Sequence, residues 1–204
     1  MLEELLNQIQ AFHGHLCPGL VMGIRAAEIA LQEIGAHSAD EEVVAVVETD
    51  MCAIDAIQFL TGCTFGKGNL IHRDYGKNAY TFMRRSDAKA IRVLTKSAAW
   101  GDPNDEHRQL SAKVRNGTAL TEEKSRFQEL RVAKARRILD TPTDELFSVS
   151  EIETNPPKKP AFILQLSALI AARRQWKHAS ANLAGVIYVF RVLKKSKCAK
   201  FPIF

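Results

Sequence analysis

The segment HGHLCPG places His13, His15 and Cys17 at i, i+2 and i+4, and two further cysteines, Cys52 and Cys63, stand in TDMCAID and TGCTFGKGN. Imidazole and thiolate are borderline-soft donors that suit zinc, nickel or iron, and a turn can converge several of them on one centre. The residue types therefore point to a transition-metal site drawn from His13, His15, Cys17, Cys52 and Cys63, with zinc the leading candidate. Each also has a structural alternative, because a histidine can cap a helix and a cysteine can serve as a small core hydrophobe. Cys52 and Cys63 are eleven residues apart, which is neither a zinc-ribbon nor a CxxC redox spacing. What favours ligation is their place beside loops and helix starts, among glycines and ionisable groups.

Two other motifs carry polar chemistry. GCTFGKGN is superficially like a phosphate loop, but Lys67 is followed by Gly68, so the Ser or Thr that would hold magnesium is missing. Lys67 remains a cation for an anionic substrate or a metal-bound thiolate. His72, Arg73, Asp74, Tyr75 and Lys77 form a polar run suited either to a cleft wall or to a solvated turn.

The elements that must position these groups follow from periodicity. Leu2, Leu5, Leu6, Ile9 and Phe12 recur at helical spacing, and a second helix is expected over 20–34, stopped by Gly35, with Pro18 suited to its first turn. HGHLCPG then lies at a helix N-terminus, where a thiolate is favoured. Residues 42–48 read as a mostly buried strand and 52–60 as a helix that Cys52 opens. The three glycines of 61–69 make a tight loop around Cys63 and Lys67. Strands are expected over 79–83, 90–95 and 146–152, and polar amphipathic helices over 103–116 and 121–140. This order lacks regular βαβ alternation, so the fold class is α+β, a mixed or antiparallel sheet packed with helices.

The chain has 204 residues and a formal charge of +5, but from Pro156 onward there are ten Lys or Arg and no Asp or Glu. Residues 1–155 thus hold 18 basic and 23 acidic groups, a formal −5. A basic pI that belongs to the tail alone gives no reason to expect a nucleic-acid partner. The N-terminus has neither a signal nor a transit pattern, and no window reaches the ~18 apolar residues of a membrane span, so a cytoplasmic protein without a membrane partner is expected. Four cysteines in that compartment argue against a disulfide framework. Two domains follow: a core over 1–155 and a basic tail over 156–204.

Together, FHGHLCPGLVMGIRAA, VETDMCAIDAIQFLTGCTFGKGNLIHRDYGK and the following AYTF closely resemble the FmdE family of formylmethanofuran dehydrogenase proteins from about residue 5 to 157. The resemblance implies an α+β core that forms a homodimer, with a metal-associated site at His13, His15, Cys17, Cys52 and Cys63 and with Lys67 and Asp55 nearby. It also implies a link to C1 metabolism of the molybdenum or tungsten formylmethanofuran dehydrogenase type, as in methanogenesis. One reading is a metal-dependent enzyme or subunit in which Lys67 stabilises negative charge and Asp55 moves a proton. A second is a noncatalytic accessory or metal-delivery protein that docks on a larger oxidoreductase. A third is thiol redox sensing through Cys17, Cys52 and Cys63. Many members of the family end in a treble-clef zinc finger with two CxxC pairs, whereas here only Cys198 follows Pro160. With synonymous codons chosen freely, a shifted frame from Ser167 is compatible with such a finger, so the tail is read as the remnant of a frameshift near residue 160.

Overall fold

The computed structural model describes residues 2–40 and 42–158. The expected zinc-finger remnant and frameshifted tail lie outside them.

Two helices open the chain, α1 (Leu2–His13) and α2 (Pro18–Glu33). Strand β1 (Val43–Val47) leads to α3 (Ala53–Thr61), then to β2 (Leu70–His72), β3 (Ala79–Arg84) and β4 (Ala90–Thr95). A 3-10 turn (Ser97–Trp100) precedes α4 (Glu106–Arg115) and α5 (Thr121–Asp140). The single turn α6 (Thr143–Leu146) runs into β5 (Phe147–Glu151). The sheet has the order β2-β1-β3-β4-β5, parallel between β1 and β2 and antiparallel elsewhere. The fold is therefore α+β with a mixed sheet. Among the described residues no helix is long and apolar enough to cross a membrane.

The run VVAVV makes β1 a strand buried on both faces, as an uninterrupted β-branched segment should be in the middle of a sheet. Val43, Ala45 and Val47 pack with Met22 and Ala26 of α2 and Ile57 of α3 in the main core. Val44 and Val46, on the opposite face by strand alternation, join Met83 and Ala90 in a smaller cluster. At the end of β1 the nearly buried Glu48 accepts two hydrogen bonds from the Arg92 guanidinium of β4, one of them 2.9 Å. That contact holds the Glu48 carboxyl below its ordinary value, against the upward push of burial.

The expected helices and strands are all present. The structure adds β2, where the sequence suggested only a polar run. Leu70 and Ile71 pair with Ala45 and Val46, so this three-residue strand exists through its parallel neighbour rather than through its own alternation. β1, α3 and β2 thereby form one βαβ unit inside an otherwise antiparallel sheet.

Candidate metal centre

Three helix ends meet at one point. α1 ends at His13, and Gly14 turns the chain there with φ of 97°, a left-handed region that side chains avoid, while its N–H closes on the Gln10 carbonyl at 2.7 Å. His15 follows in the connection. Cys17 is the N-cap of α2, its Sγ accepting from the Leu20 N–H at 3.3 Å, with Pro18 in the first turn as the sequence indicated. Cys52 is the N-cap of α3 and makes no capping hydrogen bond of its own.

Close backbone packing brings α2 against α3. A Cβ on Gly23 would lie 2.2 Å from the Ala53 carbonyl oxygen, and one on Gly19 would lie 3.2 Å from the Cys52 Cβ. Only hydrogen fits at Gly23, and this approach carries Cys52 to the start of α2.

The result is a four-residue group, His13, His15, Cys17 and Cys52, whose donor atoms all lie within 4.8 Å of one another. Tetrahedral zinc with two thiolates and two imidazoles needs donor separations of roughly 3.3–3.8 Å, so small side-chain adjustments would close these four around one ion. The His13 Nε2 is already 3.8 Å from the Cys17 Sγ. On its other side, His13 Nδ1 donates to the Asp55 carboxylate at 2.6 Å, which orients the ring with Nε2 toward the sulfur. Burial, then the charge of Arg131, then that of His13 lower the His15 pKa from 6.5, so its ring is neutral near pH 7 and able to ligate. The closeness of the two sulfurs, then burial, pushes the Cys17 thiol up, while the same neighbour and the charge of His13 hold Cys52 down to about 5 against the upward push of burial, giving one thiolate and one thiol at neutral pH.

Cys63 and Lys67 do not join this group. Cys52 and Cys63 flank the nine residues of α3, whose length is roughly 13 Å, so they stand at opposite ends of one helix. Cys63 is fully buried in the main core, and its Sγ donates to the Val43 carbonyl at 3.5 Å. Lys67 Nζ donates to the Ser38 carbonyl at 2.8 Å, tying the glycine-rich loop to the segment before β1. The five-ligand set expected from the sequence thus becomes four donors, with Asp55 as the hydrogen-bond partner of one of them.

Beside Cys52 opens a cleft of about 480 Å³ whose wall includes Trp100, His107, Phe127 and Arg131. Sequence reasoning read α4 and α5 only as polar helices. The missed signal was spacing: His107, Ser111 and Arg115 recur every four residues, as do Phe127 and Arg131, which puts each set on one helical face.

Comparison with known proteins agrees with the sequence reading. The family described as "FmdE, Molybdenum formylmethanofuran dehydrogenase operon" matches residues 12–148. An Archaeoglobus fulgidus protein named "Probable S-adenosyl-L-methionine-binding protein" is 35% identical over 164 residues, 76% of this chain and 44% of that protein. The chain thus spans less than half the length of this curated relative. A tungsten formylmethanofuran dehydrogenase FmdE-like protein from Syntrophus aciditrophicus is 24% identical, with a TM-score of 0.49 over 78% of this chain and 77% of that one. With two thirds of its length matched by the family, the chain belongs to the FmdE family.

Proposed function

We propose that the protein is a metal-binding FmdE of formylmethanofuran dehydrogenase-type C1 metabolism, holding one transition metal ion, zinc before nickel or iron, with His13, His15, Cys17 and Cys52. The observation that carries this reading is the convergence of two imidazoles and two thiols from three helix ends within 4.8 Å. Core packing alone gives no reason for four such donors to meet, and an N2S2 set is the tetrahedral complement of zinc. Such an ion would supply Lewis acidity. The chain's own residues do the rest: Asp55 fixes the His13 tautomer, the Leu20 N–H at the head of α2 donates to the Cys17 sulfur, and Cys52 is held as the thiolate by its neighbours Cys17 and His13.

Four protein donors can close a tetrahedron, which is the feature that favours the second reading, an accessory or metal-delivery protein docking on a molybdenum or tungsten oxidoreductase. The cleft at Cys52 favours a centre that meets a ligand. S-adenosylmethionine, named for the Archaeoglobus fulgidus relative, carries a sulfonium, and among the described residues no carboxylate lines this cleft to receive it. That ligand is therefore not carried over. Residues 1–155 are proposed as the functional core and 156–204 as an appendage. A homodimer in the cytoplasm is proposed with it, consistent with exposed Phe65 and Tyr75; sedimentation of the untagged chain tests the dimer.

Metal content by mass spectrometry, on protein purified without added metal or affinity tag, tests the centre. About one equivalent per chain is expected in wild type and in Cys63→Ser, and almost none in Cys17→Ser combined with Cys52→Ser. Metal absent from wild type, or retained in the double variant, refutes it.

A further inference from the structure

We infer that the cleft beside Cys52 binds a small organic oxyanion that carries a flat ring. Four cations line it: Arg108 and Arg115 from α4, and Arg131 and Lys134 from α5. Lys134 is neutralised by Asp105 at 2.8 Å, but none of the three arginines pairs with a carboxylate among the described residues. Among the described residues no Asp or Glu lines the cleft. Three like charges gathered on one wall repel one another, and a carboxylate or phosphate between them relieves that repulsion through charge-assisted hydrogen bonds, which the planar guanidinium makes well.

A second observation is independent of charge counting. The Arg131 Nε and both ring nitrogens of His107 are shielded from solvent and have no hydrogen-bond partner. Buried polar atoms are normally satisfied, and since both residues line the cleft, a small side-chain rotation would offer a ligand the Arg131 Nε–H and the single N–H of a His107 that burial keeps neutral.

The packing around those atoms suits a flat ring. His107 stacks on Phe127 with centroids 5.1 Å apart and planes 25° from parallel, and the Arg131 guanidinium lies 6.0 Å from the same Phe127 ring. Trp100 completes an aromatic surface next to the arginines. An oxyanion alone would use the arginines and leave this surface unused.

The cleft also faces the metal centre: Cys52 and Gly19 line it, and the charge of Arg131 is felt at His15. The inference thus names the ligand class of the proposed centre and rests on that reading for its link to metal, while binding in the cleft can be measured on its own.

The experiment uses full-length protein and phenyl phosphate as probe, followed by titration calorimetry and, in a Trp176→Phe background, by the emission of Trp100, then the one tryptophan left. Phenyl phosphate is expected to bind in the millimolar range or tighter, more strongly than phenol or inorganic phosphate, and to weaken as salt rises. Arg131→Gln and Arg115→Gln should each weaken it about tenfold, the loss of one charge-assisted contact. Arg115 is exposed, so its variant stays informative if the Arg131 change perturbs folding. Metal content, measured on the same samples, should be unchanged in both variants. Metal present without phenyl phosphate binding, or with binding equal in wild type and Arg115→Gln, overturns the anion cleft and leaves the metal reading intact. Binding without metal in any sample overturns the metal reading instead.

Discussion

Gly23→Ala tests the packing that assembles the centre. The new Cβ would sit 2.2 Å from the Ala53 carbonyl oxygen, 2.6 Å from its Cα and 2.7 Å from its carbonyl carbon. Ordinary contacts of this kind are about 3.5 Å or more, so α2 and α3 must part by roughly 1 Å. The obstacle is backbone, which cannot rotate away as a side chain would. Overpacking costs about 1–3 kcal/mol, toward the upper end here, and the gain in helix propensity from Gly to Ala offsets about 1 kcal/mol. The net expectation is about 1–2 kcal/mol of destabilisation, a fall in Tm of roughly 2–8 °C for a protein of this size. The same displacement separates Cys17, at the head of α2, from Cys52, at the head of α3, whereas metal–ligand distances tolerate only about 0.2 Å. Metal affinity should therefore fall by at least about tenfold. Thermal unfolding and chelator competition measure the two effects. Gly66→Ala is the control: its Cβ would meet nothing within 4 Å, and reduced freedom of the unfolded chain should leave stability equal or raised by up to about 1 kcal/mol. A Gly23→Ala protein as stable and as metal-avid as wild type would refute the argument.

Asp55→Asn should lower metal affinity about 10–100-fold, because the His13 ring loses the carboxylate that orients it, while unfolding barely changes, Asp55 being more than a third exposed. Chelator competition alongside a melting curve checks this, and an unchanged affinity would remove Asp55 from the centre. Arg92→Gln should cost about 2 kcal/mol near pH 7 by leaving the nearly buried Glu48 carboxylate short of its partner. The Glu48 pKa is lower in the folded chain than its ordinary 4.5, so its contribution is fully present above that value and is lost as pH falls through the folded pKa. Denaturant titrations from pH 7 downward should show wild type losing stability below about pH 4.5 more steeply than Arg92→Gln; parallel curves would contradict the assignment. Cys63→Ser should leave metal content intact yet lower stability by about 1–2 kcal/mol, since a hydroxyl replaces a thiol in the main core.

The sequence made the helices and central strands readable because their signals are local. Pro18 and Gly35 bracket α2, Thr121 with its two following glutamates opens α5, and the unbroken valines of β1 require burial on both faces. β2 was not readable because three residues carry no periodicity and its order comes from β1, more than twenty residues away. Cys52 and Cys63 show the same limit from the other side. Both stand beside helix ends and ionisable neighbours, so residue type and spacing rank them equally, and only the packing of Gly23 on Ala53 says which end of α3 faces Cys17. Once 53–61 is read as a helix, its length alone forbids both sulfurs from reaching one ion, a step that helix geometry allowed without the structure.

The electrostatics of the two halves fit one another. Two thiolates and two neutral imidazoles around a divalent ion would carry no net charge, which would let such a set pack against Leu20, Ile24 and Ala56 with only the Asp55 carboxylate and the Leu20 N–H as further partners. Arg131 stands outside that balance: it has no acidic partner among the described residues, and it depresses the His15 pKa, so its field reaches the centre. Neutralising the ion therefore leaves the cleft positive. A ligand oxyanion in the cleft would meet that charge next to Cys52, whereas a cationic ligand would meet it as repulsion. Removing the metal leaves one thiolate, Cys52, against the three arginines of the cleft, so anion affinity should survive metal removal, weakened at most by that single charge. If stripping the metal abolished anion binding, the ion rather than the arginines would be the anion's main partner, and the division between a neutral centre and a cationic cleft would fail.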